Sequence, residues 1–268
     1  VTNSVLVTGG TGTVGRIVVD NLTAAGKDVR VLSRGRRRGH TDVEHVVGDV
    51  RTGDGLDAAV DGVDTIVHCV YPTEHLVAAA KRAGSPHLVY VSIVGIDRVP
   101  FALYRIMLAN ERMIAESGLP WTVQRATQFH DLIAFLLRML AKPPVMVVPS
   151  GLRFQPVDVR DLGERLARLA LGEPIGRAPD FGGPEARTLD DLARSYLAIV
   201  GKRRPLVPVR LPGKVFGGIR AGGLLASEHV VGVITFEQYL RQQVEAGQLP
   251  YRDAIRAYLP HRTGKSSR

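Results

Sequence analysis

Ser4-Val5-Leu6-Val7-Thr8-Gly9-Gly10-Thr11-Gly12-Thr13-Val14-Gly15-Arg16 decides how the rest of the chain is read. A short β-branched run ends in a glycine cluster, and the cluster opens onto Val14 to Ala25, where apolar residues recur at helical spacing. The stretch satisfies Gly-x-Gly-x-x-Gly at Gly10, Gly12 and Gly15, and Gly-x-x-Gly-x-x-Gly at Gly9, Gly12 and Gly15. Glycine permits the tight turn and a close approach of backbone to a pyrophosphate, while the helix N-terminus offers unpaired N–H groups and a positive dipole end. The reading is a dinucleotide site that uses Gly9, Gly12, Thr13, Val14 and Gly15. A P-loop would place Lys and then Ser or Thr after the last glycine, whereas Arg16 and Ile17 follow Gly15.

Outward from this unit the alternation continues, which predicts an α/β fold with a doubly wound parallel sheet. Strands are expected at Ser4 to Thr8, Asp28 to Leu32, Val43 to Val47, Thr65 to Cys69, Leu88 to Ser92 and Thr122 to Arg125. Helices are expected at Val14 to Ala25, Gly55 to Ala59, His75 to Ala83, Ala102 to Ser117 and Thr127 to Leu140. Beyond Pro143-Pro144 the alternation loosens, with helical patterns at Val159 to Leu171, Leu189 to Val200, Thr235 to Glu245 and Tyr251 to Leu259. Residues 1–150 are thus expected to form the dinucleotide-binding domain. Residues 151–268 form a smaller, mostly helical region walling a substrate or partner cleft, with parts of 154–200 returning to the first domain.

Composition narrows the classes. The 268 residues are 45% apolar and 23% charged, an ordinary globular profile that excludes collagen, coiled coil and extended disorder. The longest apolar runs, such as Leu132 to Leu137, fall far short of the roughly 20 residues that span a bilayer. Val1 to Gly10 lacks the basic-then-apolar layout of a secretion signal. Cys69 is the single cysteine, so no internal disulfide forms; a lone thiol in an apolar run fits a reducing compartment, and the cytoplasm is expected. The net charge is +9, and 29 of the 35 cations are Arg, which raises a polyanion as partner. The dense clusters, however, are only Arg34 with Arg36 to Arg38 and the tail His261 to Arg268, with no nucleic-acid-binding motif beside them, so nucleic acid is not expected.

Strand two ends in Ser33 and Arg34, about 20 residues past the glycine loop, where an NAD site places an acid against the ribose 2′-hydroxyl. No acid occurs from Leu32 to Thr41, and the arginines would attract a 2′-phosphate, so NADP(H) is preferred over NAD(H), with Arg34 as the direct ligand. His68 and Cys69 are adjacent on a strand and point to opposite faces, and no paired Cys or His motif exists, so no metal is expected. Gly-x-Ser-x-Gly, the hydrolase elbow, is absent.

With the loop, Leu32-Ser33-Arg34 and Gly48-Asp49-Val50, the chain resembles the short-chain dehydrogenase/reductase superfamily. Ser117-Gly118-Leu119-Pro120-Trp121-Thr122 and Arg125-Ala126-Thr127-Gln128-Phe129-His130 resemble its NmrA-like, atypical branch, over about Ser4 to Val200. The resemblance implies that Asp49 and Val50 contact the adenine, that Cys69, Val70 and Tyr71 line the middle of the cofactor, and that Ser92 lies near the nicotinamide ribose. In most members a Tyr and a Lys four residues later supply a proton to a carbonyl. None of the six lysines has a Tyr four residues before it; Leu103 and Met107 stand where the pair is expected. Tyr104 is one helical step, about 100°, from that direction, and reads either as a displaced acid or as a packing residue. Ser92, Tyr104 and His130 are therefore the catalytic candidates, and Tyr71, Phe129 and His130 the substrate-binding ones, although His130 reads more readily as a helix-capping or surface residue.

Two functions remain open on this reading, carried by a monomer or homodimer. One is an NADPH-dependent reductase that passes hydride to a small acceptor, such as a quinone, needing no strong protein acid. The other is a non-catalytic NADP(H) sensor that relays redox state to a regulatory protein partner, with the apolar stretch Val230 to Phe236 as a candidate surface.

Overall fold

Val5, Leu6, Val7 and Thr8 are all buried, the condition of a strand covered by helices on both faces. A computed structural model describes residues 4–35, 43–226 and 230–247. The arginines at 36–38, the expected helix Tyr251 to Leu259 and the basic tail lie outside the described residues. The chain runs β1 (Ser4–Thr8), α1 (Thr13–Ala24), β2 (Asp28–Ser33), β3 (Glu44–Val47), α2 (Leu56–Val60), β4 (Thr65–His68), α3 (Glu74–Arg82), β5 (His87–Ile93), α4 (Ala102–Ala115), β6 (Trp121–Ala126) and α5 (His130–Leu140). It continues with β7 (Met146–Pro149), β8 (Arg153–Phe154), α6 (Val159–Ala170), β9 (Gly176–Arg177), β10 (Phe181–Gly182), β11 (Arg187–Thr188), α7 (Leu189–Ile199), β12 (Leu206–Val209), α8 (Lys214–Arg220), β13 (Val230–Val231) and α9 (Phe236–Glu245).

The main sheet is parallel, in the order β13-β10-β6-β5-β4-β1-β2-β3, with β9 also on β6. This is the Rossmann arrangement, with a switch point between β1 and β4, where successive connections leave toward opposite faces. One face is covered by α1 and α6, through Val14, Val18, Val19, Leu22, Leu162 and Leu166. The other is covered by α2, α3 and α4, through Leu56, Val60, Leu76, Met107 and Ile114. A third core joins α5, α7, α8 and α9 with β7 and β12.

Two features lock the sheet to its surroundings. Arg125, 3% exposed on β6, donates through Nε and Nη2 to both carboxylate oxygens of Glu111 on α4 at 2.8 and 2.6 Å, and through Nη1 to Asp97 at 2.8 Å. The fork satisfies a buried guanidinium and fixes α4 against β6. After β6 the chain does not turn helical at Thr127, as its pattern suggests, but only at His130. Thr127 N–H is given to the Phe181 carbonyl, Val157 N–H to the Gln128 carbonyl and His130 N–H to the Val157 carbonyl. These ties to the returning segment hold residues 127–129 extended.

The strand pair β7 and β12, parallel over Met146 to Pro149 and Leu206 to Val209, was not anticipated. Its flanking prolines, Pro143, Pro144 and Pro205, and Pro208 within it, read locally as loop. The expectation that Val230 to Phe236 faces a partner is corrected at Phe236, which is 3% exposed in the third core; the backbone of Val230 and Val231 pairs with β10, and Val233 is 77% exposed.

Helices α1 and α6 meet at Gly163, where an added Cβ would lie 2.4 Å from Ile17 Cγ2. Gly163→Leu is expected to lower the unfolding free energy by about 1–3 kcal/mol in urea denaturation. A variant as stable as the parent would mean that the two helices separate freely.

Candidate functional site

A cavity of about 880 Å³ crosses the carboxyl ends of the strands at the switch point. Its wall follows the strand order. Leu32, Ser33, Arg34, Gly48, Asp49, Val50 and Arg51 form one end, after β2 and β3; the glycine loop and Cys69, Val70 and Tyr71, after β1 and β4, form the middle. Val91, Ser92, Ile93, Gln128, Phe129 and Asp131 form the other end, after β5 and β6, together with Phe101, Leu103, Tyr104 and Met107 from α4 and its approach.

In the middle, the Gly12 N–H donates to the Gly9 carbonyl at 2.8 Å, closing the turn. A Cβ on Gly15 would sit 2.1 Å from the Gly9 oxygen, so the first turn of α1 lies against the end of β1 only because residue 15 is glycine. Gly9 has φ +73°, and a Cβ there would meet Val70 Cγ1 at 2.6 Å. Helix α1 has no side-chain cap and no acid in its first turn. Its leading N–H groups and positive dipole end face the cavity free of both, which fits a pyrophosphate.

At the β2–β3 end, the Ser33 hydroxyl donates to the Gly35 carbonyl at 2.6 Å, shaping the turn that carries Arg34. Asp49 Oδ1 accepts the Arg51 backbone N–H at 2.9 Å, which places a second guanidinium on the same rim. Arg34 and Arg51 are both exposed, and among the described residues neither pairs with a carboxylate. Arg51 was missed in the sequence; its signal is its position directly after Asp49-Val50.

At the β5–β6 end, Ser92 is 2% exposed and its hydroxyl has no partner among the described residues; both amide atoms of Gln128 are likewise unpartnered. Buried polar atoms without partners on a cavity wall are available to a ligand. Tyr104 lines this end while also packing between the second and third cores. Burial pushes its phenol up to about 12, opposite to the effect of a neighbouring lysine. Met107, which stands where the family resemblance expects the lysine, is buried and takes a weak hydrogen bond from the Tyr90 hydroxyl at 3.5 Å. Burial also pushes the Cys69 thiol up to about 12, so it remains protonated.

The sequence-selected residues from Gly9 to Phe129 are all on the cavity wall, but His130 is not. It is 1% exposed, its Nε2 donates to the Ile234 carbonyl at 2.9 Å, and its ring lies tilted against those of Phe236 and Tyr239. Burial lowers its pKa, keeping it neutral inside the third core. The neighbour, Asp131, faces the cavity instead. Burial raises its carboxyl pKa, and the Tyr239 hydroxyl donates to its Oδ1. One helical step exchanges the two, a distinction the sequence pattern could not make. His68 is also a core residue: its Nδ1 shares a 2.6 Å hydrogen bond with the Thr8 hydroxyl, and burial brings its pKa down to about 3. Among the described residues no group of three or more His, Cys, Asp or Glu is placed to hold a metal ion. Nor is any helix among them long and apolar enough to cross a membrane.

The fold and the glycine cradle define a Rossmann-type NAD(P)-binding protein. A family described as NAD(P)H-binding matches residues 9–134. The chain is 34% identical over 215 residues to a (4-alkanoyl-5-oxo-2,5-dihydrofuran-3-yl)methyl phosphate reductase of Streptomyces griseus, covering 75% of each. It is 28% identical over 222 residues to an NAD(P)H azoreductase of Xenophilus azovorans, covering 77% of each. The chain belongs to this NAD(P)H-binding family. Its fold is shared with an NADPH-dependent quinone oxidoreductase of Escherichia coli, at a TM-score of 0.78 and 19% identity over 90% of this chain and 99% of that one.

Gly15→Ala is expected to weaken NADPH binding by at least about tenfold in a fluorescence titration, because the new methyl group forces α1 off the turn. Gly217→Ala, which meets nothing within 4 Å, is the control and leaves binding unchanged.

Proposed function

We propose that the protein is an NADPH-dependent reductase that delivers hydride to a small, flat acceptor, such as a quinone or azo compound, without a Tyr/Lys pair. The observation that carries this reading is the cavity itself. One continuous wall runs from the two exposed guanidiniums, through the glycine cradle, to an end lined by Tyr71, Phe101, Tyr104 and Phe129. Bound NADPH would supply the hydride.

The chain's residues supply binding and orientation. Arg34, assisted by Arg51, holds a 2′-phosphate; this supports NADP(H) over NAD(H). Asp49 and Val50 flank the adenine, and the backbone of Gly9 to Gly15 cradles the pyrophosphate. The unpartnered Ser92 hydroxyl and the Gln128 amide bind the ribose or the acceptor near the reacting carbon, where Phe129 and Tyr71 provide stacking surface. With Met107 in place of lysine, Tyr104 stays a protonated hydrogen-bond donor and not an activated acid. Residues 1–150 carry the cofactor and the later segments close the acceptor end. The single-cysteine composition supports a cytoplasmic setting.

The deciding experiment follows NADPH absorbance with quinone, azo and carbonyl acceptors against a protein-free control. Acceleration by quinones or azo compounds supports the reading; NADPH binding without consumption favours a cofactor sensor. Arg34→Ala is expected to weaken NADPH binding by about ten- to hundredfold while changing NADH binding by less than about threefold. Equal losses for both would show that Arg34 does not meet the 2′-phosphate. The rate with a neutral quinone is expected to show no alkaline limb between about pH 7 and pH 10, because the Tyr104 phenol, raised to about 12, loses no proton there.

A further inference from the structure

The charges of the cavity wall are unevenly divided. Both guanidiniums, Arg34 and Arg51, stand at the β2–β3 end with Asp49. At the opposite end, beyond Tyr71, the described wall is apolar, aromatic or neutral polar, and Asp131 alone carries a formal charge.

The surroundings of Asp131 do not cancel it. From α9, Tyr239 gives its Oδ1 a neutral hydroxyl. On its own helix, His130 is kept neutral by burial. At the start of α6, the Arg160 guanidinium is committed to Asp158, with Nε to Oδ1 and Nη2 to Oδ2 both at 2.8 Å. Asp161, from the same turn, accepts the backbone N–H groups of Val233 and Ile234 at 2.9 and 3.0 Å. Three carboxyl groups thus share one guanidinium, and Asp131 is the one on the wall.

We propose that this end of the cavity selects flat aromatic acceptors that are neutral or cationic and rejects those carrying a sulfonate, carboxylate or phosphate, with Asp131 as the specificity-determining residue. The inference rests on the reading of the cavity as a hydride-transfer site and names the substrate class of that site. An anionic group stacked between Phe129 and Tyr104 would lose its water and meet a carboxyl group where it needs a cation, a repulsion that a poorly solvated wall screens weakly. A phosphate ester of the kind for which the Streptomyces griseus relative is named meets no guanidinium or ammonium among the described residues at this end.

The test titrates the full chain, saturated with NADP+, with 1,4-naphthoquinone and with 1,4-naphthoquinone-2-sulfonate by calorimetry, and then measures initial rates of both with NADPH. The sulfonate is expected to bind at least about tenfold more weakly than the parent quinone. Asp131→Asn is expected to narrow that ratio several-fold. So is lowering the pH with the unmodified protein, since the raised carboxyl pKa lets Asp131 take up its proton earlier than an ordinary aspartate while the sulfonate stays charged. Equal or tighter binding of the sulfonate overturns the proposal, as does a ratio indifferent to both the variant and pH, or failure of both quinones to bind. The expected binding ratio without NADPH consumption would leave charge selection standing and remove the reductase reading. Consumption of NADPH at equal efficiency with both would do the reverse.

Discussion

Everything in the nucleotide half of this protein depends on how closely the first turn of α1 approaches the end of β1. With a Cβ on Gly15 only 2.1 Å from the Gly9 carbonyl oxygen, any side chain there would push the helix off the strand. Because the approach is permitted, the uncapped N-terminus of α1 stands over the crevice between β1 and β4. The same approach lets α1 lie flat enough to pack Val14, Val18 and Leu22 on the sheet, and α6 then crosses it at Gly163, where Ile17 leaves no room for a Cβ. Phosphate recognition and the packing of one face of the sheet are consequences of the same backbone contact.

The half proposed to hold the acceptor is built by a different constraint, the satisfaction of buried polar groups after β6. Arg125 is held by Glu111 and Asp97, fixing α4 and with it Leu103, Tyr104 and Met107 along the cavity. The extended residues 127–129 tie β6 to Val157 and Phe181 through backbone hydrogen bonds, and the Thr127 hydroxyl donates to the Gln155 carbonyl. This tie delays the start of α5 to His130 and so decides which side of the helix faces the cavity. It places Asp131 on the wall and His130 in the core.

The chemistry available at the two ends differs accordingly. The nucleotide end offers backbone N–H groups and guanidiniums, suited to phosphates. The other end offers aromatic faces, a buried serine hydroxyl, a glutamine amide and one carboxyl group, with the Met107 thioether and a tyrosine whose phenol is hard to ionise. Such a wall orients an acceptor better than it donates protons to one, which suits transfer of hydride to a conjugated system that is itself readily reduced.

The sequence by itself determined the doubly wound sheet and the nucleotide end. β-Branched runs, helical periodicity and the glycines around Gly12 are local signals whose physics acts within one strand, one turn and one helix. Ser33 and Arg34 are assigned to that end by their spacing from the glycine loop, and Asp49 and Val50 by the family resemblance. Only the tertiary structure decided the acceptor end. Whether Tyr104 meets the cavity depends on how α4 is held by Arg125, and whether His130 or Asp131 does depends on the rotation of α5, set by the distant partners Val157, Phe181 and Ile234. The pairing of Met146–Pro149 with Leu206–Val209 likewise joins segments too far apart for any local pattern to foretell, because prolines that read as loop are tolerated in a two-stranded pair, where each strand is an edge.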